Sequence, residues 1–117
     1  SAQSAEAGAF QPQYLPAGFS KAESVKFGDT LEIQYQNEHG AFIIFQQTPL
    51  SKKGESDIDT EHSTRKEIEI NGGKAILLQA DASDDSSFII WHNQNTSFLL
   101  KSTLSSRELI RMAESVE

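Results

Sequence analysis

Apolar and polar residues alternate along several short segments of this chain, which is the pattern of half-buried β-strands. Residues Leu31–Tyr35 alternate in this way, and Glu67–Ile70 do so again. Gly28-Asp29 and Asn71-Gly72-Gly73 stand between such segments, and glycine-containing pairs of this kind form tight hairpin turns. We therefore predict about seven strands joined mostly as antiparallel hairpins, at residues 22–27, 30–36, 41–45, 67–70, 74–79, 87–92 and 96–102.

Two of the predicted strands contain an unbroken apolar run instead of an alternating pattern. Phe42–Phe45 and Phe88–Trp91 offer apolar side chains to both faces of the sheet. A sheet with one face in water does not need this pattern. Either a helix covers one face while a second layer covers the other, or the sheet curves around its own interior.

The C-terminal residues carry the signals of an amphipathic helix. Ser105-Ser106-Arg107-Glu108 is a capping box, in which the serine hydroxyl and the glutamate carboxylate accept hydrogen bonds from backbone amides. Leu104 and Leu109 stand where a hydrophobic staple closes over the first turn. An apolar stripe follows at helical spacing, made of Leu109, Met112, Ala113 and Val116. The predicted fold class is therefore α+β, a curved, mostly antiparallel sheet of about seven strands packed by one C-terminal helix.

A length of 117 residues suits one domain, which we divide into a linker and a folded part. Residues 1–13 begin with small and polar side chains and lack an initiator methionine, so we expect a flexible linker or a cloning remnant behind a removed segment. A signal peptide or a membrane anchor is the expected segment, and a trimmed cytosolic N-terminus is the alternative. The single α+β domain is expected at 14–117, opening with a turn at Tyr14–Phe19 that clamps onto the core.

Charge and composition exclude several classes of partner. The formal net charge is −7, so the surface repels phosphate backbones and anionic lipid headgroups. We therefore predict no nucleic-acid binding, and membrane association only through a missing N-terminal anchor. The chain has no cysteine, which removes thiol nucleophiles, thiolate metal sites and disulfides. It also has no apolar run near the roughly 20 residues that cross a bilayer.

One stretch, Thr48–Arg65, is too long and too polar for an ordinary connection. Connections longer than about 12–15 residues are either functional or mobile, and we favour mobility here. The stretch contains an acidic group that we keep as a candidate partner surface: Asp57, Asp59 and Glu61.

The nearest approach to a metal site is Asp81–Ser87, where alternate oxygen-bearing side chains resemble a calcium loop. Ser86 occupies the place of the glycine that makes the sharp turn, and His92 that of the bidentate glutamate. This histidine, His39 and His62 lie far apart in sequence, without the spacing of a zinc site. Because no nucleophile elbow or phosphate-binding glycine loop is present either, we predict no metal, no cofactor and no enzymatic activity.

Trp91 and Phe88 are the aromatic residues best suited to sugar binding if their rings are exposed. Both belong to the strand that also holds Ile89 and Ile90. Because these neighbours are apolar, packing in the core is the favoured interpretation of Trp91.

Short motifs stand at both ends of the chain. The first is Tyr14-Leu15-Pro16-x-Gly18-Phe19, and an Ile70-Asn71-Gly72 turn lies between the middle strands. The C-terminal motifs are Trp91, Phe98-x-Leu100, Leu104-Ser105, Glu108-Leu109 and Ala113-Glu114-Ser115. Together these motifs resemble a bacterial family, domain of unknown function 4367. The resemblance implies a domain outside the cytoplasmic membrane of a Gram-positive bacterium, often behind a single transmembrane helix. It implies proteins similar to anti-sigma factors or to lipoprotein carriers, and it supplies no catalytic residues.

These observations lead to two hypotheses of function. In the first, the chain is a non-enzymatic extracytoplasmic sensing or interaction domain of a membrane-anchored bacterial protein, and its partner is a protein. In the alternative, it is a carrier-like domain that binds an apolar small ligand in its curved sheet. A continuous apolar cavity lined by Phe42, Ile44, Phe88 or Ile90 would favour the carrier, and a filled core would exclude it. Both hypotheses draw on the same candidate surface, made of Phe42, Ile44, Phe88, Ile90, Trp91, Asp57, Asp59 and Glu61.

Overall fold

Seven β-strands and one α-helix form the part of the chain that the computed structural model describes, namely residues 10–50, 63–81, 85–93 and 95–117. The strands are β1 (Ser20–Phe27), β2 (Thr30–Gln36), β3 (Phe42–Pro49), β4 (Ser63–Ile70), β5 (Gly73–Ala80), β6 (Ser87–His92) and β7 (Thr96–Ser102), and the helix is α1 (Ser106–Glu114). An antiparallel sheet with one C-terminal helix confirms the predicted α+β class. No helix in the described residues is long and apolar enough to span a membrane.

The strands form one open sheet in the order β1-β2-β3-β7-β6-β5-β4, with every neighbouring pair antiparallel. Two meanders make up this sheet. The first contains β1 to β3, the second contains β4 to β7, and the pairing of β3 with β7 joins them. As a result β7 is the middle strand, while β1 and β4 are the edges.

Two hairpin turns have the backbone geometry that their residues predict. Gly28 opens the β1–β2 turn with φ 62°, a conformation that glycine adopts without steric cost. Asn71 and Gly72 have φ of 51° and 85°, so both central residues of the β4–β5 turn are left-handed, as in a type I′ turn. These turns fix the register of their hairpins, so alternate residues of each strand reach a defined face.

β3 and β4 extend beyond the bounds predicted for them, so the long connection between them is shorter than predicted. β3 continues through Thr48 to Pro49, and β4 begins at Ser63 instead of Glu67. Pairing in the sheet retains these polar ends, since Thr48 and Pro49 pair with β7 and the start of β4 pairs with β5. The stretch Thr48–Arg65 is therefore shortened at both ends, and residues 51–62 lie outside the described part of the chain.

α1 follows the N-cap Ser105, whose hydroxyl accepts a hydrogen bond from the Glu108 amide at 3.4 Å. The other half of the predicted capping box differs, because the Glu108 carboxylate accepts a hydrogen bond from the Tyr14 hydroxyl at 2.5 Å. The helix ends at Glu114, and Val116 instead forms a β-bridge with Pro12. The buried stripe of α1 consists of Leu109, Met112 and Ala113.

The predicted linker at 1–13 includes residues 10–13, which bond to the rest of the described chain. The backbone N–H and C=O of Phe10 bond the side-chain amide of Gln47 at 2.9 and 2.8 Å. Gln11 exchanges two backbone hydrogen bonds of 3.1 Å with Glu117. As predicted, the following turn clamps onto the core, with three half-buried side chains packed against it: Tyr14, Leu15 and Phe19.

α1 packs on one face of the sheet, the inner face, and the core lies between helix and sheet. Three aromatic rings stack across β3, β7 and β6, with centroids between 5.1 and 6.3 Å apart. They belong to Phe45, Phe98 and Trp91. The surrounding inner-face side chains are completely buried, including Ile33, Ile43, Ile89 and Leu100. The space between helix and sheet is thus filled by side chains.

Candidate functional site

The face of the sheet opposite α1, the outer face, has no described helix or strand packed on it. Four strands that send apolar side chains to the core also send apolar side chains to this face, because neighbouring residues of a strand point in opposite directions. The apolar residues of the outer face are Phe42, Ile44, Ile76, Leu78, Phe88, Ile90 and Leu99. Leu78 is 4% exposed and the other six are half-buried.

Cross-strand pairing joins these residues into one apolar patch. Ile44 lies opposite Lys101, which lies opposite Phe88. In the next row Leu99 lies opposite Ile90, and the row continues onto β5. Directly opposed side chains in neighbouring strands are about 5 Å apart. The patch is therefore continuous across β3, β7, β6 and β5.

The structure places four of the eight candidate surface residues together on the outer face and Trp91 on the inner face. Trp91 is 7% exposed on the inner face, where its ring stacks on Phe98. Because adjacent residues of a strand point to opposite faces, Trp91 cannot join Ile90 on the outer face. The candidates that share the outer face are Phe42, Ile44, Phe88 and Ile90. Those outside the described residues are Asp57, Asp59 and Glu61.

Lys101 stands in the middle of the apolar patch, on the middle strand of the sheet. Its Nζ lies 5.4 Å from the centroid of the Phe88 ring, which is a cation–π contact. It makes no salt bridge with the described residues. A lysine that alternates with apolar residues is the ordinary mark of a solvent-facing position, so the sequence pattern did not single it out. The strand register is what places it between Ile44 and Phe88.

Polar residues bound the patch on both sides. Towards β2, the Glu32 carboxylate accepts hydrogen bonds from the side-chain amides of Gln34 at 2.5 Å and Gln46 at 2.7 Å. Towards β4, a groove of about 490 Å³ opens beside the apolar side chains of Ile76 and Ile90. Its charged lining residues are Glu67, Glu69 and Lys74.

A second cavity, the end cleft, has a volume of about 530 Å³ and lies where the β4–β5 and β6–β7 turns approach Phe10 and Val116. Its apolar lining consists of these two residues together with Ile70, Trp91 and Phe98. Its remaining lining residues belong to the two turns: Asn71, Gly72, Gly73, His92 and Asn93.

Tyr14 is the centre of a polar cluster at the surface of α1. Its hydroxyl donates to Glu108, and the Arg111 guanidinium carbon lies 4.3 Å from the centroid of its ring. The hydrogen bond to Glu108, and then desolvation, raise the pKa of Tyr14 above its ordinary value, while the positive charge of Arg111 acts in the opposite direction. These contacts tie the N-terminal clamp to the helix.

Ser87, the last residue of the calcium-like segment, belongs to the sheet. Ser87 is buried, and its hydroxyl accepts a hydrogen bond from the Ala80 amide at 2.9 Å, so it joins β5 to β6. Residues 82–84 lie outside the described part of the chain. Within that part, no three His, Cys, Asp or Glu side chains are grouped closely enough to hold a metal ion.

The fold and its surfaces define a small α+β domain built on an open antiparallel sheet, with one face covered by a helix and the other apolar. The sequence profile of the family described as "Domain of unknown function (DUF4367)" matches residues 9–116. The chain belongs to this family, which confirms the resemblance of its end motifs. No curated protein and no solved structure matches the chain significantly.

Proposed function

We propose that this chain is a non-enzymatic, extracytoplasmic sensing or interaction domain of a membrane-anchored bacterial protein, and that it binds a partner protein through the outer face. One observation carries the proposal: apolar side chains form a continuous patch on a face that no described helix or strand covers. Apolar patches of this kind on folded domains mark interaction sites. The proposed setting outside the membrane rests on the resemblance to the family.

The packing of the inner face supports the proposal that the outer face is the binding surface. Side chains already fill the space beneath α1, and residues from the N-terminal clamp close its margins. The apolar residues of the outer face therefore have a different role from those of the core. Burial of apolar surface is worth about 25 cal/mol per Å². Covering this patch with a partner is accordingly a source of binding free energy.

Lys101 indicates the chemistry of the partner. A second copy stacked face to face about a two-fold axis near β7 would bring two Lys101 side chains together, which charge repulsion opposes. The net charge of −7 also disfavours association between copies. A partner that presents an acidic group among apolar side chains matches the patch, because its acid would meet Lys101 between Ile44 and Phe88.

Site-specific photo-crosslinking in intact cells tests the interaction. The photoreactive analogue p-benzoylphenylalanine replaces Phe88 on the outer face or, as a matched control, Phe27 on the edge strand, which is 50% exposed. We expect a discrete adduct from position 88 of the full-length protein and none from position 27, and Lys101→Glu should weaken it. Absence of an adduct at position 88, or the same adducts at both positions, would refute partner binding by the outer face.

The proposed location has its own test, since the chain contains no cysteine. Phe27→Cys gives this domain one exposed thiol for a membrane-impermeant maleimide, and the full-length protein without this substitution is the control. We expect labelling in intact cells to equal labelling after lysis. Labelling only after lysis would place the domain on the other side of the membrane.

The groove beside Ile76 and Ile90 favours the carrier-like alternative, because it offers apolar side chains in a cavity of about 490 Å³. Small-molecule sites have volumes of about 300–1,000 Å³. A carrier should bind the apolar dye 1-anilinonaphthalene-8-sulfonate saturably at one site, and Ile90→Ser should remove that binding. Unsaturable dye binding, or binding that Ile90→Ser leaves unchanged, would argue against a carrier.

A further inference from the structure

Trp91, which lines the end cleft, carries a hydrogen-bond donor that has no acceptor among the described residues. Trp91 is 7% exposed, yet its indole N–H donates to none of the described residues. In the same part of the chain, every fully buried side-chain nitrogen or oxygen has a hydrogen-bond partner. The indole nitrogen is therefore not sealed from solvent. Buried tryptophans usually find an acceptor for this group, so an indole N–H that still reaches solvent is available to a ligand.

The position of the Trp91 ring indicates on which side of the sheet its N–H lies. The Trp91 side chain lies on the inner face, stacked on Phe98 at 5.1 Å between ring centroids. Phe10 meets Phe98 edge to face, also at 5.1 Å, and its backbone is held by Gln47. These aromatic residues line the end cleft. Trp91 also lines the groove beside Ile90, but the other residues of that groove belong mainly to the outer face, whereas the Trp91 ring stacks on the inner face. The side chain of Trp91 therefore lies on the side of the sheet where the end cleft opens.

The lining of the end cleft is neutral and polar at its rim. None of its described lining residues is Asp, Glu, Lys or Arg, although 27 of the 117 residues of the chain are of these types. The side-chain oxygen of Asn93 already accepts hydrogen bonds from the amides of Asn95 at 2.8 Å and Thr96 at 2.7 Å, which directs its NH₂ group away from that turn. Hydrogen-bond donors from Trp91 and Asn93, next to apolar side chains, suit a neutral ligand that carries oxygen acceptors.

We propose that the end cleft binds a neutral pyranose sugar, one of whose oxygens accepts the indole N–H of Trp91 while its apolar C–H face lies against Phe10. A pyranose combines an apolar face with ether and hydroxyl oxygens, which matches these walls and donors. A cavity of about 530 Å³ has the size of a small-molecule site. This site lies away from the outer face and does not depend on the partner proposed for it.

An extended peptide fits the end cleft less well. Peptides that bind sheets add a strand to a free edge and use their backbone hydrogen bonds. Of the strands that end at the cleft, β5, β6 and β7 are paired on both sides, and the free edge of β4 lies on the side away from them. The cleft therefore offers side-chain and turn groups instead of a strand edge.

The indole N–H of Trp91 is a specific reporter, because the chain contains a single tryptophan. We would titrate the ¹⁵N-labelled domain with glucose, galactose, N-acetylglucosamine, cellobiose and chitobiose to about 50 mM, and follow the indole cross-peak for dissociation constants in the millimolar range. At least one neutral sugar should move this cross-peak saturably, and glucuronate should bind at least about tenfold more weakly, since the net charge is −7. No saturable movement with any of the five neutral sugars, or equal binding of glucuronate, would overturn the proposal.

Two variants locate the sugar. Gly73 lines the end cleft and has an ordinary negative φ, and a Cβ there would make only normal contacts, the nearest at 3.6 Å to the Ile70 carbonyl oxygen. Gly73→Ala should therefore fold normally and weaken the sugar at least about fivefold by narrowing the cleft. Trp91→Phe should cost about fivefold through loss of one neutral hydrogen bond. Glu38→Gln in the exposed β2–β3 turn is the control and should leave the affinity unchanged. A loss there, or no loss with Gly73→Ala, would contradict the site.

Discussion

Ile89 and Ile90 are adjacent isoleucines on opposite faces of β6, so they separate the inner face from the outer face within one strand. Ile89 is completely buried in the core, and Ile90 is half-buried in the apolar patch. Alanine at either position removes the same atoms from the same strand. Any difference in the free energy of unfolding therefore reports how far each face is enclosed in the isolated domain.

The expected losses follow from this burial. Isoleucine to alanine removes three carbon atoms, and at about 0.8 kcal/mol per buried methylene the transfer cost is about 2.4 kcal/mol. Ile89→Ala also leaves a closed cavity, which brings its expected cost to about 3–4 kcal/mol. Ile90 starts half-buried and leaves no closed cavity, so we expect Ile90→Ala to cost about 1 kcal/mol. The predicted difference is about 2–3 kcal/mol.

Urea unfolding measures this difference, with the fluorescence of Trp91 as the signal from the core. Ile43→Ala and Ile44→Ala repeat the comparison on β3, where Ile43 faces inward and Ile44 outward. Equal losses for Ile89→Ala and Ile90→Ala would mean that the outer face is as enclosed as the core in the isolated domain. The outer face would then be part of the interior, and its proposed role as a binding surface would fail.

Three further predictions concern the clamp, the helix cap and a turn. Because the pKa of Tyr14 is raised above 10.0, its contribution to stability is complete below about pH 10 and is lost as pH rises through the raised pKa. The free energy of unfolding, measured with urea, should therefore fall between about pH 9 and about pH 11 in the wild type but not in Tyr14→Phe. An equal fall in both proteins would contradict the raised pKa. Ser105→Ala should lower the free energy of unfolding by about 1 kcal/mol through loss of the N-cap. The control, Ser106→Ala, should change it by less than about half as much. Equal losses in the two variants would exclude a specific capping role. Asn71→Ala should cost about 1 kcal/mol at φ 51°, whereas Asn71→Gly should retain the turn, and equal stability of the two variants would contradict strain at this position.

Local patterns predicted most elements of the fold because they act within a few residues. The bounds of β6 and β7 agree with the prediction, since Asn93 and its neighbours interrupt two strongly apolar runs. The helix start was predictable from Ser105 and Leu104, which act on the first turn alone. The end of β3 was not, because Thr48 and Pro49 have no apolar pattern and are held by pairing with β7.

Interactions between distant residues account for what the sequence pattern missed. Phe10 looked like part of a linker, and it is fixed by an amide 37 residues away in Gln47. Glu108 looked committed to the capping box, but Tyr14, 94 residues away, occupies its carboxylate. Lys101 acquired its place in the apolar patch only through the pairing of β7 with two other strands.

The dimensions of α1 explain why the candidate site lies on the outer face. Nine residues make a helix about 13 Å long, whereas seven strands at about 4.8 Å spacing make a sheet about 29 Å wide. One helix of this length cannot cover even the inner face, and the clamp residues Phe10, Tyr14 and Phe19 complete the core. The described helix and clamp are thereby committed to the inner face. Strands that are apolar on both faces still require a cover on the other side, and a binding partner is the cover that we propose.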